Sequence, residues 1–508
     1  MHPTRAARPL TALLSAAGID SAPPPSAAGL EVGAIESDSR AVTPGSLFVA
    51  ISGLRVDGHQ FIADAIRRGA VAVVAERASS GAVGAGIPVI VVGNSRLALS
   101  DLAAAFHDHP SRGLCVVGIT GTDGKTTTAT LLWHAWRAAG FAAASITTVD
   151  RRTGDDVALN PSRQTTPEAP ELQAELARIL DAGCTHVALE TSSHALEMHR
   201  ADGVDFRVAV FTRITTEHLE LHGSRDRYLA AKARLLERVS TRPDGIAVLD
   251  AGDPFGFPRL AAIPVASRLT YTDQPGVAAD LRADDIVAEP SAVRFTARTP
   301  WGLVPIRLGI AGTFNVRNAL AALAAACATG ADLASAVRGL EAASAVTGRM
   351  ELVELGQPFA VVVDYAHTAD ALETVLRELR RTTSGRLWVV FGSAGERDVE
   401  KRSAMGSVAA RHADISVITD EDPRGEDRTL ILEQIAQGAV DAGGDRGNNV
   451  LVVPDREEAI GYAIANAAPG DTVLAAGKGH EKTLETAHGE IPWNERAVVI
   501  AAIRRRIS

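Results

Sequence analysis

The residues best suited to chemistry form one loop. Gly121-Thr-Asp-Gly-Lys-Thr-Thr127 follows the apolar run Cys115–Thr120 and leads into the helical pattern Ala129–Ala139. A glycine-bearing loop between a strand and a helix turns backbone N–H groups toward one point, and the helix amino terminus adds partial positive charge. This order predicts a phosphate cradle made of Gly121, Thr122, Asp123, Gly124, Lys125, Thr126 and Thr127. Lys125 would reach the terminal phosphates of a nucleoside triphosphate, and the Thr126 hydroxyl would ligate Mg²⁺. The complete G-x-x-x-x-G-K-[ST] pattern places glycine at position 119, where Ile119 stands, so the loop is a variant.

A triphosphate site also needs an acid for its metal. Thr185–Glu190 reads as a buried strand ending in a carboxylate, the arrangement that sets an acid beside Mg²⁺ at the carboxyl end of a sheet. A second apolar strand, Val208–Phe211, runs into a segment rich in acids and histidines, in which His218 is the stronger candidate for metal or substrate contact and His222 the weaker. Lysine use is a further signal. Of 51 basic residues only five are lysine, at 125, 232, 401, 478 and 482. Each is a candidate for a task closed to arginine, whose guanidinium is a permanent planar cation, whereas a lysine amine can lose its proton and react.

The elements that must position these groups alternate strand and helix, which implies parallel sheets with loops gathered at their carboxyl ends. Three α/β domains are expected, over residues 1–110, 111–345 and 346–508. The first is small, the central one has a parallel sheet of the P-loop ATPase type, and the last is Rossmann-like. Ser46–Ile51 and Val71–Glu76 read as strands of the first domain, and Leu10, Leu13 and Leu14 suit one face of a short helix. A β-rich insert is expected around Leu249–Leu308, helical structure over the alanine-rich Leu320–Leu340, and strands at Phe359–Val363, Leu387–Phe391, Ile415–Thr419, Val450–Val453 and Thr472–Ala476. A net charge of −10 argues against a protein that coats nucleic acid. Three cysteines cannot build a disulfide framework, and no apolar run approaches the length of a membrane span, so a cytoplasmic chain that binds no membrane is expected.

Taken in order, Gly121–Thr127, Glu190-Thr-Ser-Ser-His-Ala-Leu196, Glu217-His-Leu-Glu220 and Tyr228-Leu-Ala-Ala-Lys232 resemble the Mur ligases. The carboxyl half continues the resemblance with Gly312-Thr-Phe-Asn-Val-Arg-Asn-Ala-Leu320, Gly348-Arg-Met-Glu351, Asp364-Tyr-Ala-His-Thr368 and Gly477-Lys-Gly-His-Glu481. Within that family the chain is most similar to the members that add the third residue of the peptidoglycan stem peptide to UDP-N-acetylmuramoyl-L-alanyl-D-glutamate. The matches span almost the whole chain.

The resemblance implies a reaction in which ATP phosphorylates the substrate's carboxylate and an incoming amine displaces phosphate. It implies Glu190 and His218 as Mg²⁺ ligands with Thr126 near the metal, and Lys232 as a lysine carbamylated by CO₂ that also holds Mg²⁺. Lys125, Lys232 and His218 are the expected catalytic set. Asn315, Asn318, Arg349 and Asp364 match nucleotide contacts, with His367 in the same loop. Asparagine at the start of a helix is also a good cap, which is the plainer reading of Asn315 and Asn318. For the UDP-substrate, Ser37 and Ser39 (in Ser37-Asp-Ser-Arg40), Thr165, Thr166, Ser192 and Arg200 match, and Leu54-Arg-Val56 is a second matching stretch. Met198 and Asp250-Ala-Gly-Asp253 depart from the family pattern. A monomer is expected.

Arg397, Glu421, Asp422, Pro423, Arg424, Gly477 and Glu481 match the residues around the incoming diamino acid. Family members that add diaminopimelate carry Asp-Asn-Pro-Arg where this chain has Glu421-Asp-Pro-Arg424. Arg424 suits a second carboxylate on the substrate, as a bidentate partner, whereas Asp422 suits a plain ammonium such as that of L-lysine or L-ornithine. The balance favours meso-diaminopimelate. Folylpolyglutamate and cyanophycin synthetases share the ATP loop but resemble this chain less at Ser37–Arg40, Ser192–Leu196 and Gly477–Glu481. A non-catalytic nucleotide-binding scaffold would be expected to have lost Lys125, Glu190 or Lys232, and all three are present.

Overall fold

The computed structural model describes residues 6–20, 27–53, 56–78, 86–162, 164–215 and 219–507. The chain divides into two compact units, Met1–Thr270 with Ala324–Ser335, and Tyr271–Leu323 with Ala336–Ser508.

The first unit opens with helix Leu10–Ala16, which buries Leu10, Leu13 and Leu14 as their spacing predicts. Strands Ala34–Glu36, Ser46–Val49, Ala72–Ala75 and Val89–Val91 then pair in chain order, all parallel. Helix Ser95–Phe106 packs Leu99 and Leu102 into the same core as Leu47, Val49 and Val74. Its start is set by Asn94, whose side-chain oxygen accepts from the N–H groups of Arg96 and Leu97.

The larger sheet of this unit runs in the order Asp156–Leu159, Asp150–Thr153, Ala143–Ile146, His186–Glu190, Cys115–Thr120, Phe206–Phe211, Ile246–Asp250. The last five strands are parallel, and the first two form an antiparallel hairpin on one edge. Central parallel strands are covered on both faces, which is why Cys115–Thr120 and His186–Glu190 carry apolar residues on both faces, at Val116, Val117 and Ile119 and at Val187, Ala188 and Leu189. Register decides the site: Glu190 lies opposite Ile119, so both strands end together beside the phosphate loop. It also explains Ile119. That residue is a sheet position paired to both neighbouring strands, so the turn begins only at Gly121.

In the second unit, Leu281–Ala288, Val293–Thr299 and Gly302–Leu308 form an antiparallel meander. A separate six-stranded sheet has the order Glu351–Leu352, Ala360–Asp364, Thr472–Ala476, Leu387–Phe391, Ile415–Ile418, Val450–Val452. All are parallel except the short first strand. Helices Ala369–Thr382, Glu400–His412 and Arg428–Asp441 bury one face of the sheet, and Arg456–Asn466 and Glu495–Ile507 bury the other.

Leu320–Leu340 is helical as expected, in two helices, Asn315–Ala328 and Leu333–Ala342, parted at Gly330, whose φ of +105° no α-helix accommodates. One expectation is corrected. The β-rich insert begins later than expected, because Leu249 belongs to the last parallel strand and Gly256–Leu260 is a short helix. No described helix is long and apolar enough to cross a membrane.

Candidate active site

Glycine is required twice at the phosphate loop. A Cβ on Gly121 would lie 1.8 Å from Thr212 Oγ1, and Gly124, which precedes helix Lys125–Ala138, has a left-handed φ of +85°. The loop is braced by its neighbours. Thr212 Oγ1 donates to Asp123 O at 2.6 Å, Thr122 N–H donates to Arg213 O at 2.7 Å, and Thr122 Oγ1 lies 3.1 Å from the Tyr228 hydroxyl. Thr127 is buried in the first helical turn. Lys125 Nζ donates to the carbonyls of Gly121 (3.1 Å) and Thr122 (2.7 Å), which keeps the ammonium against the loop.

Behind the loop stands a buried carboxylate. Glu190 Oε2 accepts from Thr126 Oγ1 and from the Thr148 N–H, both at 2.9 Å. The Glu190 carbonyl accepts from Thr166 Oγ1 at 2.8 Å, and Thr166 Oγ1 in turn accepts from Ser192 N–H at 3.0 Å. Thr165 Oγ1 accepts from Thr148 Oγ1 at 3.1 Å, while Arg200 donates to Thr166 O at 3.4 Å and pairs with Glu168. Ser192 also caps helix Ser193–Glu197 by accepting from Ala195 N–H. Lys232, on helix Arg225–Ser240, is 1 % exposed. Its Nζ donates to Gly121 O at 2.6 Å and lies 4.4 Å from the centre of the Tyr228 ring.

The structure thus gathers Gly121–Thr127, Glu190, Lys232, Thr165, Thr166, Ser192 and Arg200 about one sheet end. His218 lies outside the described residues, as do Glu217, Leu54 and Arg55. His222 is buried, with Nε2 at 3.2 Å from Ser193 Oγ, and packs against Tyr228. Asp250 and Asp253 accept backbone N–H groups in their own turn. Ser37 and Ser39 follow strand Ala34–Glu36; Asp38 accepts from Arg40 N–H and binds its guanidinium, which holds the carboxyl below its ordinary range. Sequence reasoning missed Thr148 and Thr212, small hydroxyl residues in loops with no pattern around them.

The second unit collects its candidates at the carboxyl ends of its own parallel strands. Asp364 ends strand Ala360–Asp364 and accepts from the N–H groups of Met350 and Ala366, both at 2.7 Å. The Arg349 guanidinium lies 4.5 Å from the Tyr365 ring, which also packs on His367 and His480. Burial, with Arg349, His367, Lys478 and Lys482 nearby, pushes His480 down to about 3. Asn315 and Asn318 open helix Asn315–Ala328; Asn318 donates to Asn315 Oδ1, and Asn315 donates to Ala311 O.

Glu421 and Asp422 follow strand Ile415–Ile418 and are buried. Gly477 follows Thr472–Ala476, and a Cβ there would lie 3.0 Å from Glu421 Oε2. Pro423 precedes Arg424, whose φ is +54°, Nε donates to Glu485 Oε2 at 2.6 Å and Nη1 donates to Gly395 O at 3.1 Å. Burial, and Arg397 within electrostatic reach, both disfavour the Arg424 cation. Glu481 Oε1 accepts from the Tyr365 hydroxyl at 3.2 Å. Lys478 lies between Asp422 and Glu481, a role the scarcity of lysine hinted at without locating.

Three family descriptions match in succession: "Mur ligase family, catalytic domain" over residues 31–107, "Mur ligase middle domain" over 119–326, and "Mur ligase, glutamate ligase domain" over 348–479. The chain belongs to the Mur ligase family. As in that family, it is an ATP-dependent, ADP-forming ligase. It is 47 % identical over 479 residues to a UDP-N-acetylmuramyl-tripeptide synthetase of Roseiflexus sp. (strain RS-1), covering 92 % of this chain and 93 % of that one. It is 42 % identical over 501 residues to a UDP-N-acetylmuramoyl-L-alanyl-D-glutamate–2,6-diaminopimelate ligase of Streptomyces coelicolor, covering 98 % and 97 %. A solved ligase of the latter description superposes with a TM-score of 0.65 at 29 % identity, over 94 % of this chain and 96 % of that one. The Mur ligase MurF from Thermotoga maritima, solved with ADP, shares the fold at 21 % identity and a TM-score of 0.62, over 93 % and 97 %.

Proposed function

We propose that this ligase joins a diamino acid, meso-diaminopimelate before L-lysine or L-ornithine, to the terminal carboxylate of UDP-N-acetylmuramoyl-L-alanyl-D-glutamate in peptidoglycan precursor synthesis. The carrying observation is the hydrogen-bonded series Thr126–Glu190–Thr166–Ser192. It couples the loop that would hold ATP to residues that match the family's substrate contacts, so the donor phosphate and acceptor carboxylate can meet.

A carboxylate is a poor electrophile because its charge is delocalised, and phosphorylation supplies a leaving group. The loop N–H groups and Lys125 hold the triphosphate and offset the charge that accumulates as the phosphoryl group moves. The amine then attacks the acyl carbon, and the tetrahedral adduct expels phosphate. The donors here fit Mg²⁺: Glu190 is a buried carboxylate hydrogen-bonded to the Thr126 hydroxyl, both hard oxygen donors. Thr126, Glu190, His218 and a CO₂-derived carbamate on Lys232 would hold it, and the ion would neutralise phosphate charge. For Lys232 the support is its position, since its amine already reaches a loop carbonyl.

Asn315, Asn318, Arg349 and Asp364 would serve as nucleotide contacts, and Ser37 and Ser39 as uridine diphosphate contacts. Residues 1–110, 111–345 and 346–508 would serve the UDP-substrate, ATP and amino acid respectively, in a cytoplasmic monomer that binds neither nucleic acid nor membrane. The preference for diaminopimelate is supported by Asp422, whose charge is offset within the protein by Lys478, which weakens both its repulsion of a carboxylate and its attraction for an ammonium. The test is ADP release together with the mass of the product, using the UDP-dipeptide and each of the three diamino acids. Release that requires both substrates supports the reading, and turnover independent of the UDP-dipeptide overturns it. Use of lysine or ornithine at least about tenfold better, a gap of ~1.4 kcal/mol, overturns the diaminopimelate preference.

A further inference from the structure

Lys478 is wholly buried between two carboxylates: Nζ donates to Asp422 Oδ1 at 2.9 Å and pairs with Glu481 Oε2. Asp422 Oδ1 also accepts from Glu485 N–H at 2.8 Å, and its carbonyl accepts from Gly395 N–H at 2.8 Å. Glu485 in turn accepts from Arg424 at 2.6 Å. One ammonium therefore ties the loop that carries Arg424 to the loop that carries Glu481. A compact head with three donors can meet two carboxylates in so tight a space, which a planar guanidinium fork cannot do in the same way. This accounts for lysine in a chain that otherwise prefers arginine. Formally, Lys478, Asp422 and Glu481 together carry one net negative charge.

We propose that Lys478 is a positioning residue that sets amino-acid specificity: by offsetting Asp422 it leaves Arg397 and Arg424 to receive the distal carboxylate of a dicarboxylic diamino acid. The inference rests on the reaction proposed above and deepens it. Without the ammonium, a bare carboxylate two residues from Arg424 would draw a distal ammonium and repel a distal carboxylate. Specificity then follows the charge count. Lys478→Met makes the trio more negative by one, Asp422→Asn less negative by one, and the double variant restores the count of the natural protein.

The experiment measures kcat and KM with meso-diaminopimelate and L-lysine for the natural protein, both single variants and the double variant. Lys478→Met is expected to lower the diaminopimelate-to-lysine ratio of kcat/KM by about tenfold or more, mainly through KM for the diamino acid. Asp422→Asn is expected to raise the ratio, and the double variant to return it to within about threefold of the natural value. A merely structural role would change the rates with both amino acids together and leave the ratio where it was. The same ratio in all four proteins overturns the inference, as does a double variant that stays with Lys478→Met. If circular dichroism shows Lys478→Met unfolded, Asp422→Asn and the double variant decide: a raised ratio in the first supports the inference, and an unmoved one overturns it. A natural protein that ligates neither amino acid overturns the proposed reaction itself, and this inference with it.

Discussion

Thr126 Oγ1 donates a 2.9 Å hydrogen bond to Glu190 Oε2, joining the first turn of the phosphate-loop helix to the end of the neighbouring strand. The Thr148 N–H meets the same oxygen, so one oxygen of the buried carboxylate is held by two donors. Such a group is preorganised, and little reorganisation is left for the moment of reaction.

Removing that carboxylate charge should therefore cost rate more than stability. Glu190→Gln keeps the volume of the side chain and an oxygen able to accept from Thr126, and is expected to lower kcat by about 100-fold or more. Thr126→Ser should retain most activity, because the hydroxyl remains. Steady-state ADP release for the two variants checks this, and a Glu190→Gln enzyme within about threefold of the natural rate would count against a charge-bearing role.

Lys232→Arg is expected to be inactive although it keeps the charge of an unmodified lysine, because a guanidinium cannot be carbamylated. Lys232→Ala should be equally inactive, unaffected by bicarbonate and partly restored by short-chain carboxylic acids that stand in for the missing carbamate. Near-natural turnover in Lys232→Arg would sink the carbamate assignment.

A buried ion pair anchors the sheet of the second unit. Arg456 donates to Glu495 Oε2 at 3.0 Å, to Ala476 O at 2.7 Å and to Asp420 O at 3.0 Å, and Trp493 Nε1 donates to Glu495 at 2.7 Å. Arg456→Met strands a buried carboxylate and is expected to destabilise by about 3–5 kcal/mol. Arg456→Met/Glu495→Leu should recover part of the loss, since no unpaired charge remains. Urea unfolding of the three proteins measures both effects, and a neutral single variant would show that the pair is dispensable.

The pH dependence of stability has a histidine limb. His480 is pushed down to about 3, so the folded protein keeps it neutral while the unfolded chain protonates it near 6.5. Its effect on stability is absent above pH about 6.5, and stability falls as the pH drops from there toward 3, because the unfolded state binds the extra proton. His480→Gln should lose less stability than the natural protein between pH 7.5 and pH 5. Equal losses on denaturant titration at the two pH values would refute the assignment.

Local order in the chain was enough to read the phosphate loop, the alternating strands and helices and the face of Leu10–Ala16, since each depends on neighbours a few residues apart. Leu387–Phe391 and Thr472–Ala476 stand where the apolar runs put them. The break at Gly330 was not legible, because alanines favour helix on both sides and only the backbone's left-handed turn separates the two segments. Ile119 looked like a defect in a motif until strand register showed it to be a sheet position.

The sequence by itself determined which chemistries are present: a phosphate loop, an acid at a strand end, and a few lysines in a chain of arginines. Tertiary structure alone decided the partners. Thr126 meets Glu190 across 64 positions, and Lys478 meets Asp422 across 56. Both meetings depend on the order of parallel strands, which gathers their carboxyl ends along one edge of each sheet: the strands behind Thr126 and Glu190 are neighbours, and those behind Asp422 and Lys478 are one strand apart. The physical reason is that a charge acts over a few ångströms of space, whatever the length of chain between the groups, so what Asp422 does is settled by the buried ammonium beside it.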